Sequence, residues 1–286
     1  MKRFRISSTL NLHDCTKSDL SEFIRQGIFF MKAQGFDAMD FPLKILESEQ
    51  DNWPIYIEQA ISYADQAGIH FEVCHLPYST AICSKPELLP EFNEKVHRAI
   101  DAAAALGVKY AVLHPNTTTI PASEFDRTAQ YDIVMNHLAP FVVHANRVGL
   151  KLAAENMRLV HSHIPVHRYC QDPDELCDIT DALGINVCWD FGHANVSGVK
   201  QSEGLSYVGS RLKVLHINDN KGYGDDHLPP FIGTVDWKDA MHGLSVCGFD
   251  GLFNFEVTTN KIPAGMREDF AQYLIKAAHE LMTHVE

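Results

Sequence analysis

Val187-Cys188-Trp189-Asp190-Phe191-Gly192-His193-Ala194-Asn195 reads as a short apolar strand that runs out into a carboxylate, with an imidazole three residues later. A strand that only filled a core would gain nothing from such an end, because a buried charge without a partner is costly. The same arrangement suits a divalent cation. The rest of the chain repeats it: apolar strands keep ending in His, Asp or Glu.

Outward from that stretch, hydrophobic patterning predicts strands over 4–10, 36–41, 69–76, 108–114, 151–155, 185–190, 212–218 and 252–257. Between them, apolar residues at helical spacing predict helices over 18–34, 53–67, 86–106, 123–147, 173–183, 235–246 and 268–283. Gly35, Gly68 and Gly107 stand just past three of these helices, as C-terminal stops. Pro140 is expected to kink or split the helix over 123–147. Residues 158–172 lack periodicity and carry three His and two Arg, which marks a functional loop. Within it His161, His163 and His167 are read as solvated.

Eight strands alternating with helices, with no linker between them, predict an α/β protein. It is a single (β/α)8 TIM barrel, one domain over 1–286. An open doubly wound sheet is the competing architecture, but its Gly-rich dinucleotide fingerprint is absent, so no nucleotide cofactor is expected.

Composition narrows the partners. Acidic residues outnumber basic ones, 37 to 24, for a net charge of −13. Duplex binding draws on Lys/Arg patches, so nucleic acid is not the expected partner. Seven cysteines without a CxxC pair argue against a zinc knuckle or redox pair. The opening Met-Lys-Arg-Phe-Arg-Ile lacks a signal-peptide apolar region, and no run reaches membrane-span length. A cytoplasmic location is expected.

Catalytic residues of a barrel sit at the C-terminal ends of its strands. From the third strand to the eighth those ends are His75, His114, Glu155, Asp190, His216 and Glu256, with His193, Asp225 and His227 nearby. Two Glu, one Asp and one His suffice to bind one metal. Mixed imidazole and carboxylate ligands suit Mn, Zn, Co or Fe, whereas carboxylates alone favour Mg or Ca. Such an ion polarises a carbonyl and a neighbouring hydroxyl, and stabilises the enediolate formed when the intervening proton leaves. A Glu on each face then serves as base and acid. His75 and His114 are read as ligands of a second metal, substrate contacts, or groups that orient the first set. Asp40 is either a substrate contact or half of a strand-end ion pair. Asn156, Arg158 and Lys221 are further substrate-binding candidates.

These segments resemble the xylose-isomerase-like barrel superfamily, which includes sugar phosphate isomerases and epimerases and the AP endonucleases of the endonuclease IV type. The matching pieces are His75-Leu76-Pro77-Tyr78, Val112-Leu113-His114-Pro115, Ala154-Glu155-Asn156, Trp189-Asp190-Phe191-Gly192-His193, Val214-Leu215-His216-Ile217-Asn218-Asp219 and Phe255-Glu256-Val257. The epimerase branch implies one metal on Glu155, Asp190, His216 and Glu256. The two Glu then act as acid and base, with His193 beside the substrate. The endonuclease branch implies three zinc ions that also use His75, His114, His193 and an Asp-x-His pair, here Asp225-Asp226-His227.

The expectation is a divalent-metal-dependent (Mn, Zn, Co or Mg) isomerase or epimerase of a small sugar or polyol. A multi-zinc phosphodiesterase or a dehydratase on the same barrel is the alternative. The resemblance also implies homo-oligomers formed through the outer helices.

Overall fold

The computed structural model describes residues 4–11, 19–47, 49, 51–115, 118–259 and 261–285. Eight parallel strands form the sheet: β1 (Arg5–Thr9), β2 (Ala38–Pro42), β3 (Phe71–His75), β4 (Tyr110–Leu113), β5 (Lys151–Glu155), β6 (Asn186–Asp190), β7 (Leu212–His216) and β8 (Leu252–Phe255). Their order is β7-β6-β5-β4-β3-β2-β1-β8. The two end strands meet through one parallel bridge, Ile217 with Phe255, which brings the sheet round into a nearly closed barrel. That is the predicted α/β TIM barrel.

Helices α1 (Leu20–Gln34), α2 (Trp53–Ala67), α3 (Leu89–Leu106), α4 (Arg127–Val148), α5 (Pro173–Leu183), α6 (Phe191–Val196), α7 (Gln201–Val208), α8 (Trp237–Val246) and α9 (Arg267–Thr283) accompany the strands. Asp19, Asp126 and Asp236 cap α1, α4 and α8 by accepting the backbone N–H three residues on. Because of those caps α4 and α8 start later than the apolar pattern suggested; Ser18, the expected start of the first helix, lies outside the described residues. Pro140 neither splits nor ends α4, which runs on to Val148. A proline removes one rung of the ladder, and packing of Leu138, Phe141 and Val142 into the core holds the helix together. Helices α6 and α7 escaped the pattern because each spans too few residues to show a helical period.

Strand alternation sorts side chains into two sets. Phe4, Ile6, Met39, Phe41, Phe71 and Trp189 pack outward with the helices in the main core. Ala38, Val73, Tyr110, Val112, Ala153, Cys188, Val214 and Leu252 form a separate cluster inside the barrel. Counting two residues on from each inward position reaches Asp40, His75, His114, Glu155, Asp190, His216 and, on β8, Asn254 and then Glu256. The apolar plug therefore ends in a polar lid, and the lid is the row of strand ends picked out by sequence.

Candidate active site

Asp40, Asn156, Asp190, His193 and His216 are buried, and Glu155 is buried with them. Three donor groups converge at the mouth: His75 with His114 and Glu155; Glu155 with Asp190, His216 and Glu256; and His193 with Asp225 and His227. Within each, one ligand atom per residue lies within 4.8 Å of the others. Glu155 belongs to two of them.

The central group fits a metal. His216 Nδ1 lies 3.1 Å from Glu155 Oε1 and 3.0 Å from Glu256 Oε2, yet neither of its buried ring nitrogens has a hydrogen-bond partner. A fully buried imidazole without a bond is costly unless its lone pair has another acceptor, which a cation supplies. Asp190 is held by three contacts. Its Oδ1 accepts the His193 N–H at 2.6 Å, its Oδ2 accepts the Asn218 amide at 2.6 Å, and the Asn156 amide brackets its backbone at 2.6 and 2.9 Å. Asn156, expected to touch substrate, thus spends its amide on the Asp190 main chain.

The flanking groups are set in advance. His75 Nδ1–H donates to the Leu76 carbonyl at 2.7 Å, His193 Nδ1–H to the Asn156 carbonyl at 2.8 Å, and His227 Nδ1–H to the Glu256 carbonyl at 3.0 Å. A carbonyl only accepts, so each ring carries a proton on Nδ1, and Nε2 is the nitrogen left to bind a metal when the ring is neutral. His75 Nε2 faces His114 Nε2 at 3.1 Å. His193 and His227 turn theirs toward Asp225, at 3.5 and 3.2 Å.

Electrostatics follow from the crowding. Burial disfavours the Glu155 carboxylate, but the His216 and His114 imidazoles overcome it and hold the group well below its ordinary range. Desolvation also disfavours the half-buried Glu256 carboxylate, but His216 and His227 draw it down to about 2. Burial lifts Asp190 to about 6 in spite of His193. Burial disfavours the His193 cation, yet Asp190 and Asp225 raise it to about 9. Burial drives His114 down to about 4. The anionic cluster needs cations, and protonated imidazoles fill that role here.

A cavity of about 620 Å3 opens beside these groups, lined by Thr9, Asp40, Lys44, His75, Tyr78 and Glu256. Asp40 accepts the Asn254 amide at 3.0 Å on one oxygen; its other oxygen is buried and unpartnered. Burial raises its pKa. Among the described residues no ion pair to Asp40 is formed. Lys221 Nζ donates to the Ile232 carbonyl at 2.5 Å. Arg158 Nε lies 3.0 Å from Asp225 Oδ2.

Three features went unread in the sequence. Tyr78 stacks on His114, ring centroids 4.2 Å apart, and walls the cavity. Asp219 is buried and gathers the N–H groups of Asn220, Phe231 and Val235 and the Trp237 indole, which folds the segment carrying Asp225 and His227. His161 and His167 are not free loop side chains. His161 bonds the Val196 carbonyl, and His167 lies 3.0 Å from Glu175. The signal for Asp219 was present in the polar run Asn218-Asp219-Asn220 directly after a strand.

The structure is a parallel β/α barrel whose C-terminal mouth gathers imidazoles and carboxylates in groups that could hold a metal ion. The chain belongs to the xylose isomerase-like TIM barrel family, whose model matches residues 29–277. It is 26% identical over 256 residues to the uncharacterized protein MJ1311 of Methanocaldococcus jannaschii, covering 81% of this chain and 83% of that one. It is 25% identical over 211 residues to a probable endonuclease 4 of Staphylococcus carnosus, covering 68% and 65%. Among solved structures, a D-tagatose 3-epimerase-like protein superposes with a TM-score of 0.72 at 20% identity, over 99% of this chain and 100% of that one. D-allulose 3-epimerase from Methylomonas sp. in complex with D-allulose gives 0.73 at 16% identity, covering 98% of both chains. These structural likenesses establish the fold.

Proposed function

We propose that this chain is a divalent-metal-dependent isomerase or epimerase acting on a sugar, sugar phosphate, keto-sugar or inosose-like polyol. One observation carries the reading. Glu155 and Glu256 approach the same nitrogen of His216, at 3.1 and 3.0 Å, beside the open cavity that Glu256 lines. Glu155, Asp190, His216 and Glu256 would hold the ion. When bound, it polarises neighbouring carbonyl and hydroxyl oxygens and makes the C–H between them more acidic.

Glu256 lines the cavity and is kept ionised by His216 and His227, so it is suited to take that proton. Glu155 serves as its partner, returning a proton to the carbon. His193 offers Nε2 to a substrate hydroxyl, and Asp40 offers its free oxygen to another. The family membership and the D-allulose bound by a relative of the same fold support a sugar as substrate. Among the described residues no helix is long and apolar enough to cross a membrane. The described cysteines Cys74, Cys83, Cys170, Cys177, Cys188 and Cys247 are free thiols, in keeping with the cytoplasm.

A second reading rests on a separate observation: three donor groups, not one, with the flanking imidazoles already oriented as ligands. That supports a multi-zinc phosphodiesterase, and the endonuclease 4 relative points the same way. Elemental analysis of protein purified without added metal separates the two. About one equivalent, with solvent deuterium entering a keto-sugar, supports the isomerase. Two or three equivalents of zinc, with cleavage of an abasic duplex or another phosphoester and no carbon-bound exchange, would replace it.

A further inference from the structure

The segment between β5 and α5 forms a hairpin over the mouth. Met157 N–H donates to the Cys170 carbonyl at 2.9 Å, and Val160 and Val166 exchange bonds at 3.1 and 3.2 Å. Arg158 and Arg168 lie between those two rungs, on opposite limbs. The hairpin is fastened at several points. Leu159 N–H donates to Ser197 Oγ at 2.9 Å, Ala122 N–H to the Pro165 carbonyl at 2.8 Å, and Cys170 N–H to Glu175 Oε2 at 2.9 Å. The backbones that carry the two arginines are therefore held in place on their limbs.

Like charges on facing limbs repel, and burial strengthens the repulsion. Among the described residues Asp225 offsets it, at Arg158 only. Arg158 Nε is buried and lies 3.0 Å from Asp225 Oδ2 without hydrogen-bond geometry, and its Nη1 reaches only the Leu159 carbonyl, at 3.4 Å. Asp225 is already shared with His193 and His227. Arg168 is half-buried and has no carboxylate within ion-pair distance among the described residues. It stands across the hairpin from Arg158, whose partner Asp225 also meets His193 and His227 at the mouth. Two planar donor forks on opposite limbs of one hairpin, sharing a single carboxylate partner, Asp225 against Arg158, among the described residues, make a receptor for an oxyanion.

We infer that Arg158 and Arg168 form an anion subsite at the rim, and that the substrate carries a carboxylate or phosphate which these two arginines grip. This rests on the reading of the mouth as a substrate site, but not on the reaction carried out there. It distinguishes this chain's substrate from a neutral ketose. The local positive pair also gives an acidic protein, at net charge −13, a way to hold an anion.

The test is binding by calorimetry to the metal-loaded full chain at fixed ionic strength. The probes are D-fructose, D-fructose 6-phosphate, D-gluconate and inorganic phosphate, against wild type, Arg168→Met and Arg168→Lys. An anionic probe should bind wild type at least about tenfold more tightly than fructose, the scale of one charge-assisted contact. That advantage should vanish in Arg168→Met and survive in part in Arg168→Lys, with fructose affinity unchanged. The better of gluconate and fructose 6-phosphate identifies carboxylate or phosphate as the group bound. Equal binding of fructose and the anions to wild type would overturn the inference. So would an anion advantage that persists in Arg168→Met, since the anion would then be held by the metal. Unfolding temperatures of the free variants guard against misfolding, and Arg168→Lys keeps the test decisive if Arg168→Met does not fold. An Arg168-dependent anion preference without proton exchange would discard the isomerase reading and leave this one standing.

Discussion

His216 and Glu256 meet across the seam of the barrel. The imidazole Nδ1 of one lies 3.0 Å from the carboxylate Oε2 of the other, on the end strands β7 and β8. Those strands are joined at the Ile217–Phe255 bridge, where Ile217 N–H donates to the Asn254 carbonyl and Glu256 N–H to the Ile217 carbonyl. An ion held by both side chains would fasten the weakest edge of the sheet. Adding metal should therefore slow hydrogen exchange at the Ile217 and Glu256 amides more than at amides in β3 and β4. Uniform protection throughout the barrel would mean that the seam has no special dependence on the site.

The metal-free site should lose stability as the pH rises. The folded-state pKa of His193 is raised to about 9 from an ordinary 6.5, chiefly against burial by Asp190 and Asp225. A group raised on folding stabilises fully below its unfolded pKa, and that contribution is lost as the pH climbs through the folded one. Chelator-treated protein should thus melt at progressively lower temperature between pH 6.5 and 9. Metal affinity should rise over the same interval, because the His193 cation beside Asp190 repels a metal ion until it loses its proton. Melting curves with and without chelator at several pH values check both signs; a chelated protein that grows more stable over this interval contradicts the assignment.

Glu256→Gln keeps the shape of the side chain and removes its basicity. Proton exchange at the reacting carbon should fall by at least about 100-fold, the lower range for loss of a positioned general base. The circular dichroism spectrum should stay unchanged. Metal content must be measured alongside, since Glu256 is also a proposed ligand. Undiminished incorporation of solvent deuterium would remove Glu256 from the role of base.

Gly192 permits a close approach. A Cβ there would overlap the Asn218 side-chain amide and crowd that of Asn220, and Asn218 is the group that donates to Asp190 Oδ2. Gly192→Ala should cost about 1–3 kcal/mol through overpacking. It should also weaken metal binding on the order of 10- to 100-fold through the misplaced Asp190. Thermal melts and metal titrations read the two effects separately. If stability falls while metal affinity holds, Asn218 does not control Asp190.

Asn254→Leu would remove the amide that donates to the buried Asp40 carboxyl. Stability should fall by about 1–3 kcal/mol, the cost of an unmet buried polar group. A smaller loss with Asp40→Asn, which restores a neutral partner for the amide, would mark the carboxyl as part of the binding surface rather than of the core. Calorimetric melts of the two variants provide the comparison.

Much of this protein was readable from residue order alone. Strand periodicity and the spacing of His75, His114, Glu155, Asp190, His216 and Glu256 dictated a barrel with a ligand-rich mouth, because parallel strands of one barrel must end on the same side. Residue order also set where helices begin, through capping Asp residues such as Asp19 and Asp126. It could not say what Asn156 does, since an amide beside a strand end suits substrate and backbone equally; only the approach of β5 to β6 committed it to Asp190. It could not reveal that His75, His193 and His227 share one tautomer, because that depends on which carbonyl each ring meets. Nor could it show Arg158 and Arg168 on opposite limbs of a fastened hairpin, since loop geometry arises from contacts such as those with Ser197 and Ala122, far along the chain. Local pattern determined which elements form and which residues reach the mouth. Tertiary packing decided how each of those side chains is oriented, and orientation is what separates a ligand from a brace.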